Sequence, residues 1–383
     1  MRRLLLATLI LILHAAVSAW CVHSLFDRWG LMENADRFDF ESMLSHEAHR
    51  PWAYRVLMPA LVNSTYDLLP EPAKQAVAAV SVRPRMGYDP ESHLYHVTSQ
   101  TLQKYYAVPV EQLTEKVRVK YHIAYAYVFA SLLGALLLLR ALTRFFFPGQ
   151  DLLSDFGPLG FGILLPLTFR GGGYLYDFPE ILFLCAAFYA AARQSPFLAL
   201  VLPLAVLNKE SNVLLIPVLA AGYAPFRGAP SKRNAIFLLS AVAAVTAFSA
   251  VRIGASGNPG SGAEYHLPTN LRFWLDPMTY VSWNAVIAPY SPFVPFPSGS
   301  NPVLIAMVVG FCALGWRSKP RTVRRWLLGT AVLCVPLMLV FGSSDEVRNL
   351  SLCFVPMYLA ACHTLASLYG LEARGGEPGH LGS

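Results

Sequence analysis

Four short stretches of this chain set carboxylates and cations side by side within an otherwise apolar sequence. They are Asp36-Arg37-Phe38-Asp39-Phe40-Glu41, Arg170 through Asp177-Phe178-Pro179-Glu180, Lys209-Glu210, and Asp345-Glu346-Val347-Arg348-Asn349. A positioned carboxylate can take a proton from a reacting group, and a cation in a partly dry site can hold developing negative charge. Ionisable groups in or beside membrane segments are costly to place, which makes them functional candidates by default. Each stretch also has a plainer reading. Asp36 and Asp39 fit solvated loop carboxylates or a helix cap, and Asp177 fits a cap with Glu180 in the favoured first turn. Lys209 with Glu210, and Glu346 with Arg348, fit structural pairs that neutralise each other.

The elements that must position these residues are set by composition. Of 383 residues, 55% are hydrophobic and only 14% are charged, where soluble domains carry about 25% charged residues. Mean hydropathy is +0.44, and the apolar residues fall in long continuous blocks. This excludes a soluble enzyme, a disordered chain and a small disulfide-stapled domain. It also disfavours a membrane β-barrel, whose strands alternate in hydrophobicity. The expected fold class is all-α, a single polytopic membrane domain over 1–383.

A span needs about 20 apolar residues, fewer where protein shields it. Spans are expected near 4–24, 121–141, 155–169, 179–194, 197–207, 211–225, 234–252, 302–316, 325–342 and 350–370. The pair 197–207 and 211–225 reads as a broken hairpin with Asn208-Lys209-Glu210-Ser211 at its tip. The formal charge of +7 is concentrated at span ends: Arg2-Arg3, Arg140/Arg144, Arg227/Lys232/Arg233 and Arg317/Lys319/Arg321/Arg324/Arg325. That is the pattern of cytoplasmic loops, not of a nucleic-acid surface. With these loops inside, both termini are cytoplasmic. The loops 25–118 and 253–301 lie outside, and all four acid–base stretches face that outer side. The first segment also fits a cleavable signal peptide, with Val17-Ser18-Ala19 as the small-residue site; a retained helix is favoured by the length of its apolar run. In the large loop, the stretch from Arg50-Pro51-Trp52 to Leu69 reads as an interfacial helix, and 109–120 as an amphipathic helix feeding the second span. The second loop carries Trp and Tyr suited to the headgroup layer. No internal repeat is visible. The six cysteines lie in or at the edge of apolar segments, so neither a disulfide framework nor a zinc site is indicated.

This layout resembles the GT-C superfamily of polyprenyl-phosphate-dependent glycosyltransferases, in the manner of its bacterial integral membrane members. The resemblance rests on Asp36 and Asp39 followed by Pro51-Trp52-Ala53-Tyr54-Arg55-Val56-Leu57-Met58-Pro59. It also rests on Asp177 before a helix, the Asn208-Lys209-Glu210-Ser211 turn, and Glu346-Val347-Arg348 before a final span. It departs in the first loop, where the two aspartates are separated rather than adjacent. The resemblance implies transfer of a sugar from a polyprenyl-phosphate-linked donor to a glycan, lipid or protein acceptor. The site would face outward from an inner or plasma membrane, in contact with the lipid bilayer. It implies Asp36 or Asp39 as general base, and Arg55, Lys209 and Arg348 as donors to the leaving phosphate. Asp177, Glu180, Glu210 and Glu346 would complete the substrate site. A divalent cation such as Mg or Mn is compatible with it, although no spacing demands one. Two other classes fit the same charges: a carrier or flippase for a lipid-linked or anionic substrate, and a non-catalytic member of an envelope-assembly complex.

Overall fold

The computed structural model describes residues 2–31, 37–80, 114–168, 173–223, 232–281, 287–291, 294–297, 302–343 and 347–370. Among these, the chain is helical apart from one short antiparallel pair, β1 (Ile287–Ser291) with β2 (Val294–Pro297). Asp36, Glu346 and the first half of the 109–120 helix lie outside the described residues.

Every expected apolar run is a helix. In order these are α1 (Arg2–Trp29), then, after the outer segment, α5 (Glu115–Phe146), α6 (Asp151–Leu164), α7 (Asp177–Ala192), α8 (Leu198–Asn208), α9 (Leu215–Tyr223), α10 (Lys232–Gly254), α13 (Pro302–Ala313), α14 (Arg321–Phe341) and α15 (Ser351–Leu368). Five stretches, Leu4–Phe26, Glu115–Phe146, Asn234–Gly254, Arg321–Phe341 and Val347–Leu368, are long and apolar enough to cross a membrane. They mark the chain as an integral membrane protein. The other five helices are short, from the 9 residues of α9 to the 16 of α7. At 1.5 Å per residue, α8 with its 11 residues is only about 17 Å long.

Packing explains which helices tolerate lipid and which do not. The stretch that contains α15 is the most buried of the five. α1, α10 and α14 expose Leu4, Leu9 and Ile12, then Leu238, Val242 and Val245, then Leu328, Val332 and Val335. In water such a surface would be an aggregation hazard; against hydrocarbon it costs nothing. Backbone groups in that setting must be satisfied within the element, and helices do this.

The outer segment folds into short pieces: α2 (Phe40–Leu44), a 3₁₀ turn at Trp52–Tyr54, α3 (Leu57–Leu68) and α4 (Glu71–Ala78). The expected interfacial helix is thus interrupted at Arg55-Val56. This segment is pinned to the chain that follows α10. The Arg50 N–H donates to the Pro259 carbonyl at 2.8 Å, and Asn258 Nδ2 donates to the carbonyls of His46 and Ala48 at 2.7 and 3.0 Å. Arg37 meets Glu264 at 2.5 Å. Gly260 has φ +88°, and a Cβ there would lie 2.8 Å from the Arg50 carbonyl oxygen. Only glycine permits this approach.

The chain then enters α11 (Leu267–Leu275) and α12 (Met278–Val281). The buried Asn270 of α11 donates from Nδ2 to the carbonyls of Met338, Leu339 and Gly342 at 3.2, 2.9 and 2.6 Å. Those carbonyls lie in the last turn and cap of α14, where intrahelical donors run out; the Met338 carbonyl also accepts the Gly342 N–H at 2.9 Å. Asn270→Leu should therefore destabilise the protein by about 1–3 kcal/mol, read as a lowered thermal midpoint in detergent. An unchanged midpoint would mean that water caps this helix end instead.

The opposite end of the bundle carries basic clusters of its own. There Arg140 and Arg144 share Asp155, at 2.7 and 3.1 Å. Lys319 is buried and donates to the Ala360 carbonyl and the Thr364 hydroxyl at 3.0 and 2.7 Å.

Candidate functional site

At the end that carries the 37–80 segment, three ion pairs close between different elements. Glu180 lies in the first turn of α7, with the helix start favouring a carboxylate there. It accepts from Lys209 Nζ at 2.7 Å and from the Ser351 hydroxyl, at the start of α15, at 2.8 Å. Asp177 heads the same helix. Its Oδ2 accepts from the Tyr174 N–H at 2.8 Å and faces Arg348 Nη1 at 3.3 Å. It therefore caps the approach to α7 rather than the helix itself. Arg348 is presented by a 3₁₀ turn, Val347–Leu350, that leads into α15. Arg55, just after the Trp52–Tyr54 turn, faces Glu210, with Nε and Oε2 3.5 Å apart.

Adjacent residues therefore do not pair with each other. Lys209 sits in extended backbone between α8 and a 3₁₀ turn, Glu210–Leu214. Its side chain and that of Glu210 point to different partners, Glu180 and Arg55. In place of the plainer reading, a Lys209–Glu210 pair, each residue pairs with a different element. The tip of the hairpin is held by Asn208, whose Nδ2 donates to the Tyr176 carbonyl at 3.0 Å.

Between the ion pairs lies an aromatic layer that the sequence reading did not single out. The rings of Tyr174 and Tyr176 are stacked, with centroids 5.1 Å apart and planes 10° from parallel. The Arg348 guanidinium lies 4.4 Å from the Tyr174 ring and the Arg55 guanidinium 4.2 Å from the Tyr176 ring. The result is a column of two phenols between two cations, a favourable arrangement for the ring quadrupoles. Arg55 also donates to the Tyr176 hydroxyl. Burial disfavours the charged guanidinium, but the Tyr176 hydroxyl and the Glu210 carboxylate reverse this and hold its pKa above the ordinary arginine value. Phe38 packs edge-on against Tyr174 and stacks on Trp52, joining the outer segment to the column. The legible signal was Tyr174-Leu175-Tyr176-Asp177, two aromatics one residue apart before a carboxylate.

Asp39 has a different place. It is the N-cap of α2: Oδ1 accepts the Ser42 N–H at 2.8 Å and Oδ2 accepts the Ser42 hydroxyl. Its neighbour Phe38 reaches the column, while its own carboxylate is engaged locally. Asp177, Glu180, Lys209, Glu210, Arg55 and Arg348 are brought together. Asp36 and Glu346 lie outside the described residues. Among the described residues no group of three or more His, Cys, Asp or Glu gathers to hold a metal ion. Asp177, Glu180 and Glu210 each face a side-chain cation. No protein-family model, curated protein or solved structure matches this chain.

Proposed function

We propose that this protein is a membrane glycosyltransferase of GT-C type. It moves a sugar from a polyprenyl-phosphate donor to a hydroxyl acceptor at the extracytoplasmic face of an inner or plasma membrane. The observation that carries this reading is the meeting of Arg55, Lys209 and Arg348 with Asp177, Glu180 and Glu210 at one end of an apolar bundle. Such a site offers cations for a leaving phosphate and a carboxylate for an acceptor proton, beside a surface that an isoprenoid chain can wet. In this reading the short helices α6, α7, α8, α9 and α13 also count as membrane segments, which gives ten.

Transfer of radiolabelled sugar from defined polyprenyl-phosphate donors by the purified protein tests the activity. Substrate translocation in proteoliposomes with no sugar transfer would favour a carrier instead. Sidedness has a separate test. All six cysteines are buried, so an impermeant thiol reagent has little to label in the unmodified protein. Cysteines introduced at Ser92 and at the exposed Ser261 should both react from the outer side. Protection of either would break this topology.

A further inference from the structure

We propose that Glu210, rather than Asp39, is the general base that deprotonates the acceptor, an inference that rests on the glycosyl-transfer reading. The three ion pairs are unequal. Glu180 is saturated by Lys209 and Ser351, and Asp177 is held by Arg348 and the Tyr174 N–H. Both Asp39 oxygens are taken by Ser42. Glu210 differs from all of these. Its Oε2 is shielded from solvent yet makes no hydrogen bond, and the facing Arg55 Nε makes none either. Their 3.5 Å separation is an electrostatic contact without hydrogen-bond geometry.

This pair is also the most accessible of the three. The side chains of Glu210 and Arg55 are 12% and 11% exposed, while those of Glu180, Asp177, Arg348 and Lys209 lie between 2% and 9%. Glu210 also occupies the tip of the α8–α9 hairpin, whose backbone is fixed through Asn208 to Tyr176, so the carboxylate is held on a short tether.

The step follows from the geometry. A donor phosphate draws the Arg55 guanidinium toward itself and leaves Glu210 with a free carboxylate. The acceptor oxygen attacks the anomeric carbon, and its proton passes to Glu210. The bond from that carbon to the phosphate oxygen breaks, and the electron pair stays on the phosphate, where Arg55 balances the charge. The proton later returns to solvent, and the Arg55–Glu210 contact re-forms when the lipid phosphate leaves.

The test uses the full-length protein in detergent or nanodiscs, with mannosyl- and galactosyl-polyprenyl phosphate as donors and alkyl glycosides as acceptors. Glu210→Gln should lower turnover by roughly 10²–10⁴-fold with little change in KM for the donor, and it should remove the acidic limb of the pH–rate profile. In Glu210→Ala, added formate should restore part of the turnover, an effect that a merely structural glutamate would not give. Near-normal turnover of Glu210→Gln, a retained acidic limb, or a large loss confined to Asp39→Asn or Asp36→Asn would overturn the assignment while leaving the transferase reading intact. Absence of transfer by the wild type from either donor would overturn both.

Discussion

Lys209→Met should destabilise the folded protein by about 3–5 kcal/mol, because it strands Glu180 as a buried charge without its cation. The pair is 2.7 Å apart and both side chains are almost fully enclosed. Taking either ion out of water is repaid only by the other and by the Ser351 hydroxyl. Glu180→Gln should cost a similar amount for the mirrored reason. The double variant Lys209→Met with Glu180→Gln should recover much of that loss, since it removes both charges at once. Thermal unfolding of the four proteins in one detergent gives the coupling energy. Single losses below about 1 kcal/mol would mean that water reaches this pair and that it resembles an exposed ion pair.

Arg55→Ala should lower sugar transfer by about 10²–10³-fold, the range seen when one preorganised donor to developing negative charge is removed. The Arg55 guanidinium lies 4.2 Å from the Tyr176 ring and beside Glu210, so a cation is in the site before substrate arrives. Lysine at this position keeps the charge but loses the planar fork and the stacking on the ring. Arg55→Lys should therefore fall between wild type and alanine. The loss should appear in turnover more than in donor KM, because the phosphate charge is greatest as the bond breaks. Undiminished transfer by Arg55→Ala would place the leaving phosphate elsewhere, with Arg348 the next cation along the column.

The helices were legible because their signal is local. A continuous apolar block marks a buried or lipid-facing helix whatever it packs against, so the helices in these apolar runs and the break at Asn208-Lys209-Glu210 could be read directly, whereas five of them are long enough to cross a membrane. The pairing of charges was not legible in this way. Glu180 and Lys209 are 29 positions apart, and Asp177 and Arg348 are 171 apart; only tertiary packing sets which meets which. Sequence adjacency misled at Lys209-Glu210, since neighbouring side chains in extended backbone point to opposite sides. Asp39 shows the opposite case. The Asp39-x-x-Ser42 spacing suits a helix cap, and that local option is the one the chain adopts. The Tyr174–Tyr176 stack was missed because two tyrosines near an apolar helix also describe an ordinary interfacial belt.

The shortness of α8 has a consequence for the lipid around the protein. A helix of about 17 Å cannot match a hydrocarbon layer of about 30 Å. Phe197 and Leu200 of this region nevertheless face outward. On the ten-segment reading proposed above, the surrounding leaflets dimple toward the hairpin, at a cost of fractions of a kcal/mol for each ångström of mismatch. That deformation would bring the headgroup level down toward Lys209 and Glu210, where the proposed lipid phosphate would meet the cations without leaving its own leaflet. It also ties the protein to bilayer thickness. Short acyl chains ease the dimple and long or sterol-stiffened ones oppose it, so the host membrane acts as a mechanical load on the same hairpin that carries the charges.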